Sequence, residues 1–317
     1  MNDCYLWDRS GEPDPEVVRL EKLLGDLKWP EPAFRGTRLM QRRQNRLWKT
    51  MAAAAVVALC LGTALYVKRM HAPTSWQLSL AGQKPSAVRA GQIIETLERA
   101  GATLESQLVG EVEIEANSRL RVMASHGDEQ RMALDHGTIH AVIWAPPAKF
   151  VVDTPAAKTV DLGCQYTLSV AKDGKGSLTV EAGWVAFQWH NIESFIPAGA
   201  ACTTRPGHGP DTPHFLDAPE ALTRGVAEFD VTGNAQALKM AVSAARPRDA
   251  LTLWHLLQRT RGAERAEVFD RFATLVKLPS AATRQGILSG DQKSMDAAWD
   301  ALEFGNTGWW REWKRAW

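Results

Sequence analysis

The chain has 317 residues, 23% of them charged, and a formal net charge of +1. So even a balance supplies no basic face for a phosphate backbone and excludes a nucleic-acid partner. The four cysteines stand too far apart for a C-x-x-C pair, which removes a cysteine-based zinc site, and no other motif implies a cofactor.

The first 47 residues read as a cytoplasmic tail with one helix. Asp14 can cap it, Pro15 suits its first turn and Glu16 favours its dipole, which predicts a helix over 14–28. Val17, Leu20, Leu24 and Leu27 follow at spacings of three, four and three, one apolar stripe on an otherwise polar helix. A lone helix of this length is marginal in water, so the stripe needs cover. The inner membrane face could supply it, or a cytoplasmic partner could dock on it.

Met51 to Val67 holds no charged residue. Its seventeen residues span about 25 Å, near the ~30 Å of a hydrocarbon core. With Trp48 and Tyr66 as interfacial aromatics, the stretch predicts a transmembrane helix over 48–69, with membrane lipid as its partner. Arg35, Arg38, Arg42, Arg43, Arg46 and Lys49 precede it, against Lys68 and Arg69 after it. The positive-inside rule then puts the N-terminus in the cytoplasm and everything after residue 70 across the inner membrane, in the periplasm.

Beyond residue 85 the apolar pattern changes to period two. Short alternating runs such as Glu111 to Ala116, Thr138 to Trp144, Tyr166 to Ala171 and Trp184 to Trp189 are punctuated by turn residues. They predict an all-β domain within 70–216. Leu134-Asp135-His136-Gly137-Thr138-Ile139 is echoed 46 residues later by Val180-Glu181-Ala182-Gly183-Trp184-Val185. Each glycine supplies a backbone angle that a side chain would resist, so the echo points to stacked β-turn units.

The ordered series carries a resemblance. It runs Gly110-Glu-Val-Glu-Ile, Leu134-x-x-Gly137-x-Ile139, Phe150-x-Val152-x-Thr154-Pro155, Val160-x-Leu162-Gly163-Cys164-x-Tyr166-x-Leu168, Val180-x-x-Gly183-x-Val185 and Ile196-Pro-Ala-Gly199. Over roughly residues 85–205 it resembles the FecR domain, the outer sensor part of transmembrane regulators of sigma factors. That resemblance implies a twisted, solenoid-like superhelix of short strands rather than a closed barrel, and a cytoplasmic sigma factor as partner. It also implies an outer signal received from a periplasmic or outer-membrane protein. The tail lacks the His-x-x-x-Cys-x-x-Cys pattern of zinc-bearing anti-sigma factors.

Cys164 and Cys202 both fall in the β domain, and in an oxidising compartment they are expected to form a disulfide. The connector 203–217 is rich in Pro, Gly and Thr; its His208 and His214, beside Asp211 and Asp217, show no distinctive metal-ligand spacing. From 217 to 317 the period is helical, which predicts a periplasmic helical bundle. Its stripes include Leu251, Trp254 and Leu257, then Val268, Phe269, Phe272, Leu275 and Val276. Trp309, Trp310, Trp313 and Trp317 form a terminal aromatic patch, either core or a docking surface.

Neither a nucleotide loop, a G-x-S-x-G elbow nor a His-Glu-x-x-His is present, so the chain reads as no enzyme. Ser125-His126 and Asp135-His136 read as solvated pairs on a β surface. The functional expectation is a membrane-anchored, FecR-like regulator of a sigma factor. The alternative is an envelope scaffold whose β domain binds glycan or another envelope protein.

Overall fold

In the computed structural model, residues 15–25, 62–63, 76–80, 82–127, 129–190 and 192–304 are described. The chain divides into two compact units, Met1–Leu65 and Tyr66–Trp317. The first holds helix α1 (Pro15–Gly25).

The second unit begins with sixteen strands. They are β1 (Trp76–Leu80), β2 (Ser86–Val88), β3 (Ile93–Glu95), β4 (Ala102–Ser106), β5 (Gly110–Ile114), β6 (Arg119–His126), β7 (Glu129–Ile143) and β8 (Phe150–Asp153). β9 (Lys158–Asp161), β10 (Gln165–Val170), β11 (Gly176–Ala182), β12 (Trp184–Trp189), β13 (Ile192–Pro197), β14 (Ala200–Arg205), β15 (Gly209–Pro210) and β16 (His214–Phe215) follow. They form one open sheet that β7 divides into two leaves. The first half of β7 pairs with β6 and, in parallel, with β8; the second half pairs with β5 and β10. One leaf holds β1, β2, β4, β5, β10, β11 and β14 to β16, and the other holds β3, β6, β8, β9, β12 and β13.

The chain crosses between leaves at backbone corners. Along β7 the buried positions are 130, 132, 133 and 134 before Gly137, and 139, 141 and 143 after it, so the even-numbered face gives way to the odd-numbered one. The alternation changes phase there because Gly137 takes φ +103°. Gly183, with φ +73°, does the same between β11 and β12, where burial passes from Leu178 and Val180 to Val185 and Phe187. The sequence echo is therefore a repeated device for changing leaves. Each corner also presses on another segment. A Cβ on Gly137 would lie 2.1 Å from Ser118 Oγ, and one on Gly183 would lie 2.0 Å from the Gly163 carbonyl oxygen.

The strands are followed by helices α2 (Glu220–Thr232), α3 (Ala235–Ala244), α4 (Ala250–Arg259), α5 (Gly262–Leu275), α6 (Arg284–Ser289) and α7 (Gln292–Asp300). Their starts are capped as the sequence allows: Asn234 accepts from Gln236 N–H, Thr283 from Gly286 N–H and Asp291 from Ser294 N–H. Every residue of α4 from Ala250 to Leu257 is buried, which makes it the central helix. Trp299 of α7 packs at ring-centroid distances of 4.6 Å from Trp254, 5.5 Å from Phe195 and 5.9 Å from Trp184, so helices and strands share one core.

The single-pass membrane reading of the fold is corrected here. Among the described residues no helix is long and apolar enough to cross a membrane. The longest, α5, has 14 residues. It rises only about 21 Å, and it turns just one face, Val268, Phe269 and Phe272, into the core. The segment 48–69 lies outside the described residues apart from Gly62 and Thr63.

Candidate functional site

Helix α1 carries the predicted docking residues, and none of its residues is buried within its unit. Leu20 is 56% exposed, Leu24 55% and Leu23 68%. Those values leave an apolar face on a helix too short to hold itself together in water. Val17 is half-buried on the same face, and Leu27 lies outside the described residues. Leu23 joins the stripe three residues after Leu20. Trp309, Trp310, Trp313 and Trp317 also lie outside the described residues.

The expected disulfide is corrected. Cys164 and Cys202 are buried free thiols. Cys202 lies on β14, and β11 stands between β14 and β10, whose start follows Cys164. Two strand spacings come to about 10 Å, beyond the ~7 Å Cα separation a disulfide tolerates. Each thiol has its own acceptor: the Asp161 carboxylate for Cys164, and the Asp211 carbonyl, 3.2 Å away, for Cys202. Burial raises both thiols above their ordinary range. Burial also pushes the Asp161 carboxyl up to about 7.

The connector residues are spent on structure. Asp211 pairs with Arg205 at 2.7 Å, and Asp217 takes Arg246 and Arg248 at 3.5 and 3.3 Å. Asp135, of the Asp135-His136 pair, receives Arg119 and Arg121 instead.

One exposed polar relay crosses β5, β7, β10 and β11. His140 meets Glu115 at 2.7 Å and Thr167 at 2.8 Å, and Thr167 donates to Glu181 at 3.1 Å. Strand pairing makes it, since β7 lies between β5 and β10 and sets His140 beside Thr167 and Glu113, with Glu115 just past the end of β5.

A second polar site lies where the helices meet β13, and sequence reading missed it. Among the described residues β13 is an edge strand, paired with β12 alone. An open edge invites foreign strands unless it is covered. Here α4 covers it. Phe195 N–H donates to His255 Nε2 at 3.0 Å, so the proton sits on Nδ1, which donates to the Leu251 carbonyl at 2.9 Å. Burial pulls His255 down to about 3, which keeps the ring neutral and accepting. One turn on, Arg259 donates to the Pro210 carbonyl at 2.9 Å, to Ser194 Oγ at 2.7 Å and to the Asp211 carbonyl at 3.0 Å. From α2, the Asp230 carboxyl accepts from Thr212 N–H at 2.7 Å and Thr212 Oγ1 at 2.9 Å. Burial raises Asp230 above the usual carboxylate range, against the opposing charge of Arg259. Apart from Leu251, one turn before His255, these partners stand 18 to 65 residues apart, so no local pattern announces them.

Residues 93–186 match the family described as "FecR protein". No curated protein matches the chain. Two solved structures of a candidate anti-sigma factor from Parabacteroides distasonis ATCC 8503 are similar to it. One is 15% identical, with 37% of this chain and 57% of that chain covered and a TM-score of 0.33. The other is 13% identical, with 47% and 74% covered and a TM-score of 0.35. The chain thus spans little more than half the length of the first. The matched stretch runs from β3 into β12 and takes in the Gly137, Gly163 and Gly183 corners. The likeness to the FecR family thus covers residues 93–186, the part of the β domain built around those corners.

Proposed function

We propose that the chain regulates a sigma factor, with α1 as the docking element and the FecR domain as the part that receives the signal. The observation that supports this reading most is the exposed apolar face of α1, with Leu20, Leu23 and Leu24 each more than half open. The family match supports it from the other end of the chain. An amphipathic helix with no cover of its own is suited to lying in a groove of a partner, anchored at i, i+3 and i+4 positions.

Leu20→Glu combined with Leu24→Glu tests it. Burying each leucine in a groove contributes roughly 1.5–3 kcal/mol, and a carboxylate in its place adds a desolvation cost. In cells, transcription from promoters of a co-encoded sigma factor is expected to change at least several-fold. Unaltered transcription would favour the scaffold reading, in which α1 docks nothing.

A further inference from the structure

We infer that the seam between β13 and helices α2 and α4 is a binding site for a small zwitterion with an apolar side chain, in chemical class an α-amino acid. A cavity of about 490 Å³ opens there, bordered by Ile192, Glu193, Phe229, Asp230 and Arg259. That volume lies within the ~300–1,000 Å³ of small-molecule sites.

The cavity offers both charges, fixed and separate. Arg259 is held by three neutral acceptors, two carbonyls and a hydroxyl. No carboxylate pairs with it directly, and its Nε–H meets no acceptor, among the described residues. The guanidinium is thus rigid, with charge and a donor left over for an incoming carboxylate. The Asp230 carboxylate is held by Thr212, within the field of Arg259 but without a direct ion pair among the described residues, while Arg205 holds the main-chain carbonyl of the same residue. The C-terminus of α2 carries partial negative charge, which Arg205 answers by donating to the Asp230 main-chain carbonyl, so only the carboxylate is left for a ligand. An ammonium group answers the carboxylate. Ile192 and Phe229 line the same cavity and supply apolar surface for a side chain. Gly233, which closes α2 at φ +67°, adds no side chain at the rim.

Such a ligand would touch strand and helices together. Binding would therefore strengthen the docking of the helical part on the β13 edge by mass action. This inference does not depend on a sigma factor, and its test contains none.

Isothermal titration of the full chain with L-leucine and L-phenylalanine is the experiment. N-acetyl-L-leucinamide, which carries neither charge, serves as control. The expected result is saturable binding of at least one amino acid, with the control at least tenfold weaker. Gln258→Trp, which fills the rim from an exposed position, should abolish binding while leaving the melting temperature of the unliganded chain unchanged. Arg259→Lys should weaken binding at least tenfold. No heat from either amino acid up to about 10 mM, ten times a millimolar Kd, would overturn the inference. So would equal binding of the control, or full binding by the Gln258→Trp chain.

Discussion

Gly183→Ala is expected to destabilise the β domain by several kcal/mol. Two costs add. A non-glycine residue held at φ +73° costs on the order of 1–3 kcal/mol. The new Cβ would then lie 2.0 Å from the Gly163 carbonyl oxygen and 2.9 Å from Cys164 Cα. Both are backbone atoms of another corner, so no side chain can swing aside, and overpacking of this kind costs roughly another 1–3 kcal/mol. Against a total stability of about 5–15 kcal/mol, that is a large fraction. Gly137→Ala should behave alike, since its Cβ would sit 2.4 Å from Ser118 Cα. Gly207→Ala is the control. Its φ is +76°, but nothing lies within 4 Å of its Cβ. Denaturant midpoints should separate the first two from the third. Equal, small shifts at all three would mean that the corners are not pressed against neighbouring chain.

His255→Leu should cost about 1–3 kcal/mol at pH 7, because it removes the acceptor of the buried Phe195 N–H, while the Leu251 carbonyl keeps its helical bond from the residue-255 N–H. Its pH signature separates it from a packing defect. In the folded chain His255 titrates at about 3, below its ordinary 6.5. The unfolded chain therefore binds the extra proton first as pH falls. The contribution of His255 is fully present above pH 6.5 and is lost progressively from there to about pH 3, by a few kcal/mol in all. The leucine variant should lack that loss, so the gap between the two stability curves should narrow as pH falls. Asp161 acts in the opposite sense. Its folded value of about 7 lies above the ordinary 3.8, so its contribution falls as pH rises from about 4 to 7. Asp161→Asn should remove that second slope and be relatively more stable at pH 8 than at pH 4. Parallel curves for wild type and His255→Leu would contradict the assignment of His255 as a neutral acceptor.

Much of the β domain was legible because alternation and turn chemistry are local. The Leu134 and Val180 echo announced the two corners, although it could not say that β7 runs on through Gly137 as one strand. The short strands β1 and β13 to β16 escaped notice for physical reasons. β14 buries Cys202 and Thr204 rather than large apolar residues, and β15 and β16 have two residues each. Two cysteines in one domain suggested a bond, and only the strand order, with β11 between them, shows why none forms. The stripe of α1 was read from spacing, but Leu23, its most exposed member, fell between the chosen positions. The β13 seam had no signature at all. Its contacts depend on where α2 and α4 come to rest, and a sequence-local pattern carries no information about that.

The docking role of α1 can be measured on purified components. The full chain and a co-encoded sigma factor are titrated against each other by calorimetry, first as wild type and then with Leu20→Glu and Leu24→Glu together. The expected result is a one-to-one complex with micromolar or tighter affinity, weakened at least about 100-fold by the two glutamates, as the loss of two buried leucines requires. Wild-type affinity in the double variant, or no complex with the wild-type chain, would contradict it.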